Sequence, residues 1–142
     1  MHMTKSYWLL KTEPETFSFE QLVRDRQTNW SGVRNFQARN YLKTFHNGDL
    51  VVIYHSGDQK AVVGIAEVVR EAYPDLDPKK PGDWIQVDLK PVQALQKAVT
   101  LAEIKKTPSL SDIKLIKQSR LSVMPISANH FKMITKMGGI TE

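Results

Sequence analysis

Cysteine is absent from the 142 residues. That excludes a disulfide framework, thiolate catalysis and cysteine-ligated zinc, and it suits a reducing cytoplasm. Long apolar runs are missing too. No stretch is long enough to span a bilayer, and the first residues lack the apolar core of a signal peptide. Histidine is scarce, and His2, His46, His55 and His130 are far apart and not in metal-ligand spacing. A Walker-type loop, a nucleophile elbow and a His-Glu-x-x-His helix are all lacking. Internal repeats, linkers and low-complexity tracts do not occur either. The chain is therefore read without a catalytic residue, a metal or a cofactor.

What is present is an ordinary globular composition, with 41% hydrophobic and 25% charged residues. The length fits one domain, residues 1–142, with a real core. The net charge of +5 is unevenly placed. Seven basic residues (Lys105, Lys106, Lys114, Lys117, Arg120, Lys132, Lys136) stand against one acidic residue, Asp112, in the segment from Lys105 to Lys136. A local excess of this kind suits a polyanionic partner, and a solvated lysine-rich face accounts for it equally well.

Apolar patterning outlines about five strands. Ser6 to Lys11, Leu50 to Tyr54 and Ala61 to Val69 are nearly continuous apolar runs, and the last two read as an antiparallel hairpin. Gly64 inside its strand marks a bulge or a close approach to the backbone. Trp84 to Leu89 alternates, with Lys90-Pro91-Val92 as an edge or bulge, and Leu121 to Val123 offers a small last strand before Pro125. Ser18 with Gln21, and Thr100 with Glu103, have capping-box spacing. Asn35 and Ser127 read as further N-caps. The segment from Pro108 to Lys117 reads as irregular. Regular long helices do not separate the strands, which argues against a doubly wound parallel sheet. The class read from pattern is α+β, a small and mostly antiparallel β-barrel or curved sheet with flanking short helices.

The chemistry concentrates in Trp30-Ser31-Gly32-Val33-Arg34-Asn35-Phe36-Gln37-Ala38-Arg39-Asn40. Flat apolar faces, guanidinium groups and amides together suit a pocket wall. Trp30 lies in a polar turn, where an indole can stack a flat ligand such as a nucleobase. Gly32 supplies a backbone conformation that other residues reach only at a cost. Arg34 and Arg39 suit phosphate or a base edge, and Asn35 and Gln37 offer donor and acceptor pairs. A helix opening at Asn35 would aim free N–H groups toward the Trp30 turn. Phe36 and Ala38 read as core-facing. His55 and Ser56 adjoin on a strand and so point to opposite faces, which argues against a catalytic dyad. Asp75, Asp77 and Asp83, near Lys79 and Lys80, read as a solvated loop.

Five blocks together carry a resemblance. They are Tyr7-Trp8-Leu9-Leu10-Lys11-Thr12-Glu13-Pro14, the Trp30 to Asn40 stretch, Tyr54-His55-Ser56, Gly64-Ile65-Ala66-Glu67-Val68 and Arg120-Leu121-Ser122-Val123-Met124-Pro125. In order and spacing they resemble the EVE domain family, from Tyr7 to about Met137. The resemblance implies a PUA-like β-barrel and a nucleic-acid reader, with a pocket for a modified base, modified cytosine in DNA foremost. It implies no chemistry on the base. Its pocket would be lined by Trp30, Ser31, Gly32, Val33, Arg34 and Asn35 together with Tyr54, His55 and Ser56. Lys11, Arg39, Arg120, Leu121, Ser122, Met124 and Pro125 would lie at the mouth or on phosphate. One departure is Phe36, where family members often carry Tyr. Relatives in restriction systems are fused to a nuclease, so cleavage here would call for a separate effector protein. A monomer is expected. The alternatives are an RNA-binding PUA-like domain and, less favoured, a nucleoside-binding protein or small-molecule enzyme using His55 and Ser56.

Overall fold

Runs of apolar residues, buried on both faces, form the middle of the sheet. In a computed structural model, which describes residues 5–77 and 81–140, these runs are β1 (Tyr7–Thr12) and β3 (Leu50–His55). They pair in parallel, Tyr7 beside Leu50 and Lys11 beside Tyr54. The other strands are β2 (Thr28–Trp30), β4 (Ala61–Pro74), β5 (Ile85–Thr100) and β6 (Val123–Ile126). Six strands make one sheet in the order β2-β5-β4-β3-β1-β6. Every pairing other than β1 with β3 is antiparallel.

The expected barrel does not close. Among the described residues no pairing joins the edge strands β2 and β6. Both are short, three and four residues. Helix α2 (Phe36–Leu42) instead packs against β5 and β6, so it occupies the gap that closure would have filled. The remaining helices are α1 (Phe19–Asp25), α3 (Leu101–Lys105), α4 (Lys114–Lys117) and α5 (Ala128–Met137), with a 3-10 turn over Pro108–Leu110. No helix among the described residues is long and apolar enough to cross a membrane.

Local chemistry sets the helix starts. Ser18, Asn35, Thr100 and Ser127 each accept a backbone N–H from inside their own helix. Only Thr100 completes the capping box, because the Gln21 side chain reaches forward to Asp25. The stretch from Pro108 to Lys117, expected to be irregular, contains a 3-10 turn over Pro108–Leu110 and the single turn of α4, with non-helical residues between them. The last strand runs through Pro125, which stops no strand there because β6 is an edge. Gly64 has both properties expected of it: the pairing shifts register beside it, and the Phe19 ring fills the space a side chain would need.

Phe36 departs from the core-facing expectation. It is 66% exposed, while Ala38 and Leu42 are fully buried. Residues 38 and 42 share one helix face, and position 36 lies well around from it.

The start of the sheet is held by Asp49, which is 3% exposed. Its carboxylate accepts the Ser6 N–H at 3.1 Å, the His46 N–H at 3.0 Å and the Trp8 indole N–H at 2.9 Å. Removing the acceptor strands those donors. Asp49→Ala is expected to lose about 2–4 kcal/mol of stability, and Asp49→Asn less. Urea unfolding checks this, and a loss under about 0.5 kcal/mol would show that the carboxylate is not the anchor.

Candidate functional site

The seam left by the unclosed sheet contains a cavity of about 520 Å³. That lies within the roughly 300–1,000 Å³ common for small-molecule sites. Its walls come from the end of β1 (Lys11, Thr12), the turn before α1 (Thr16, Phe17), β2 with the loop after it (Thr28 to Arg34), and Ser122 before β6. Two aromatics, several hydroxyls, one amide and two cations line it, and no acidic residue among the described ones does.

Trp30 ends β2 beside Val87 and is 9% exposed, with the Phe17 ring edge-on at 5.8 Å. The chain then leaves the sheet. Gly32 adopts φ +82°, and its N–H donates to the Asp75 carboxylate at 2.9 Å. Nothing lies within 4 Å of a Cβ added at Gly32, so the backbone conformation alone favours glycine there. Arg34 Nη1 donates to the same Asp75 oxygen at 2.9 Å and to the Val33 carbonyl at 3.1 Å. The Arg34 guanidinium lies 5.4 Å from the Trp84 ring, and its Nε is buried without an acceptor.

Asp75 is thus not the solvated loop residue that sequence suggested. Its side chain is 11% exposed. Burial by itself would raise its carboxyl. The hydrogen bonds from Arg34 and the Gly32 N–H, with the Arg34 charge, outweigh burial and hold it below the ordinary 3.8. Asp83 behaves as expected, exposed and 3.5 Å from Lys43, while Lys79 and Lys80 lie outside the described residues.

Lys11 stands at the other side of the seam. Its backbone N–H donates to the Ser122 carbonyl at 2.9 Å and its Nζ to the Ser119 carbonyl at 2.6 Å. The ammonium lies 5.8 Å from the Tyr54 ring, and burial pushes its pKa down from 10.5.

The structure therefore gathers Trp30, Ser31, Gly32, Val33, Arg34, Lys11 and Ser122 around one cavity. Other expected residues lie elsewhere. Asn35 spends its side-chain oxygen on the Ala38 N–H and lines a separate shallow depression with Gln37, Gln118, Arg120 and Leu121. Gln37 is bonded to Gln118. The cap also explains why the N-terminus of α2 does not offer all its donors to a ligand. Tyr54 is 3% exposed in the core, and Leu121 and Met124 are buried. Pro125 sits within β6. Both ring nitrogens of His55 are engaged: Nε2 accepts the Phe19 N–H at 3.1 Å, which places the proton on Nδ1, 2.7 Å from Gln59 Oε1. Ser56 donates to the Thr12 carbonyl. Arg39 lies outside the cavity, against Phe36 and Trp84.

Sequence reasoning passed over Thr12, Thr16, Phe17, Thr28 and Asn29 as lining residues. The usable signal was Thr12-Glu13-Pro14, a strand that stops at a polar break just before an aromatic. A second cavity of about 590 Å³ lies at the start of β1, walled by Tyr7, Leu50 and Phe131 with Lys5, Lys132 and Lys136. Arg120 flanks the shallow depression, so the basic segment does not gather at the seam. Among the described residues no group of three or more His, Asp or Glu is placed to hold a metal ion.

The family model that matches is the EVE domain, over residues 6–137. Human thymocyte nuclear protein 1 is 32% identical, over 93% of this chain and 73% of that protein. The solved structure of Rpa0253 from Rhodopseudomonas palustris is 44% identical with a TM-score of 0.89, covering 96% of this chain and 95% of that one. Human THYN1 in complex with DNA containing 5-methylcytosine is 30% identical with a TM-score of 0.87, covering 97% of this chain and 100% of that one.

Because its folded carboxyl is depressed, the stabilisation from Asp75 is present above the ordinary carboxylate pKa and fades as pH falls through the folded value. Above about pH 4 the parent is expected to be more stable than Asp75→Asn by a constant margin, and the gap is expected to close as pH falls below that. Thermal unfolding across pH checks this, and an unchanging gap would remove Asp75 as the clamp.

Proposed function

Because the chain belongs to the EVE domain family, we propose that it binds nucleic acid as a reader of one nucleobase, modified cytosine in DNA being the favoured class. The observation that carries this reading is the seam cavity: an indole and a phenyl ring, polar groups on several walls, the Lys11 ammonium, and an Arg34 whose charge is paired with Asp75. A neutral flat base with an anionic backbone matches that lining. The complex of human THYN1 with 5-methylcytosine DNA supports the same class.

A base reaches such a seam from a single strand, or from a duplex at a cost of a few kcal/mol for unstacking. Phe17 and Trp30 offer the apolar wall. Trp30 is 9% exposed, so only a small part of its indole is open to a ligand. The hydroxyls of Thr12, Thr16, Thr28 and Ser122 and the Asn29 amide can read donors and acceptors on the base edge. Lys11 meets the phosphate or a base carbonyl, while Arg34, held by Asp75, shapes the wall. Buried polar groups discriminate strongly only when the wrong ligand leaves them unpaired. A methyl group adds only about 1 kcal/mol, so the polar edge carries most of the recognition of cytosine.

Reading requires no chemistry on the base, and the two engaged ring nitrogens of His55 leave it poorly placed to act as a general base.

Oligonucleotides carrying cytosine, 5-methylcytosine or 5-hydroxymethylcytosine, with matched RNA strands, provide the test by fluorescence anisotropy. Methylated DNA is expected to bind about fivefold more tightly than unmodified DNA. Lys11→Gln is expected to weaken every strand and lower the salt slope by about 0.7–0.9. Asn29→Asp, which places a negative charge in the seam, is expected to abolish the preference. If both variants bind all strands as the parent does, the cavity is not the base site.

A further inference from the structure

We propose that Phe36, stacked on Trp84 and flanked by Arg39, is a platform for the base adjoining the one held in the seam. The inference rests on the base-pocket reading and adds a second subsite to it. Phe36 is 66% exposed, a phenyl ring left in solvent at the first position of α2. It is not a loose side chain. The Trp84 ring lies 5.2 Å from it, centroid to centroid, with the two planes 22° apart.

Trp84 is itself fixed from two sides. Gly82, at φ +144°, runs so close that a Cβ there would sit 2.7 Å from the indole Nε1. The Arg34 guanidinium lies 5.4 Å from the same ring. Arg39 stands alongside the stacked pair, 5.0 Å from the Phe36 centroid and 5.8 Å from that of Trp84. Its hydrogen bonds are long, 3.2–3.4 Å, to Asn40 and the Asp83 carbonyl. The guanidinium can therefore exchange them for a phosphate. Asp83, the nearby acid, is paired with Lys43.

A packing role alone does not account for the arrangement. Phe36 covers one side of Trp84 but leaves most of its own ring in water, and a core contact would bury it. A flat ring, ordered from beneath and bordered by a cation, is the chemistry that takes a base and its phosphate without reading sequence. Continuity with the seam runs through Arg34, which lines the cavity and touches Trp84. A strand with one base in the seam would thus lay its neighbour on Phe36 and its phosphate toward Arg39.

The test compares a short single strand carrying one 5-methylcytosine with free 5-methyldeoxycytidine. Phe36→Ala is expected to lower strand affinity about five- to 100-fold, to leave nucleoside affinity and the melting temperature unchanged, and to be rescued by Phe36→Trp. Unchanged strand affinity overturns the platform. So does an equal loss for strand and nucleoside, which would place the effect of Phe36 in the pocket. The two readings separate cleanly. Strand binding that depends on Phe36 but ignores methylation, with no nucleoside binding, sinks the base pocket and leaves the platform. Nucleoside binding with strand binding indifferent to Phe36 does the reverse.

Discussion

A single carboxylate oxygen, Oδ2 of Asp75, holds two groups of the pocket loop. It takes the N–H of Gly32 and a guanidinium N–H of Arg34, both at 2.9 Å. Past Trp30 the chain has left the sheet, and its backbone groups have lost the pairing that β5 provided. An irregular segment at a cavity stays in one place only if something replaces that pairing. Asp75, just after the end of β4, does so with charge-assisted bonds, which are stronger than neutral ones. The placement of Arg34 follows, and Arg34 in turn lies over Trp84. The wall of the seam and the aromatic stack beside it hang from one side chain.

That dependence explains which features were legible in the sequence. The N-caps at Ser18, Asn35, Thr100 and Ser127 could be read because a cap is settled within four residues. The strands β1, β3 and the first part of β4, Ala61 to Val69, could be read because burial on both faces needs continuous apolar runs; the rest of β4, to Pro74, is exposed or half-buried and carries no such run. The Trp30 turn could be read because its composition is wrong for either a core or a solvated loop. Asp75 could not be found this way, since its partners lie about forty positions earlier and its neighbours are prolines and charges. The parallel pairing of β1 with β3 was hidden for a like reason. A run of apolar residues does not say which neighbour it takes or in which direction. Nor does it show that β2, only three residues, is a strand at all.

His55 shows the opposite error. In the sequence Tyr54-His55-Ser56 looks like a polar end to an apolar strand, and so like a wall of a site. In the fold His55 serves α1, since its Nε2 accepts the Phe19 N–H that begins that helix, while Ser56 bonds the Thr12 carbonyl and Tyr54 lies in the core. Donors and acceptors are as much in demand at a helix start as at a ligand site. Residue type alone cannot distinguish the two uses.

An unclosed sheet is what leaves room for the cavity here. A closed six-stranded barrel would satisfy its backbone along the whole seam and fill its interior with side chains. With α2 across the gap instead, the ends of β1 and β2 and the residue before β6 present side chains to one space. Lys11 is the clearest consequence. Its ammonium is drawn partly out of water, and its lowered pKa records the cost of holding a charge there. Where water is partly excluded, attraction to an opposing charge or a carbonyl oxygen is stronger than on an open surface. An anion arriving at the seam would relieve that cost, so the burial that weakens the free protein slightly would also strengthen any hold on such an anion.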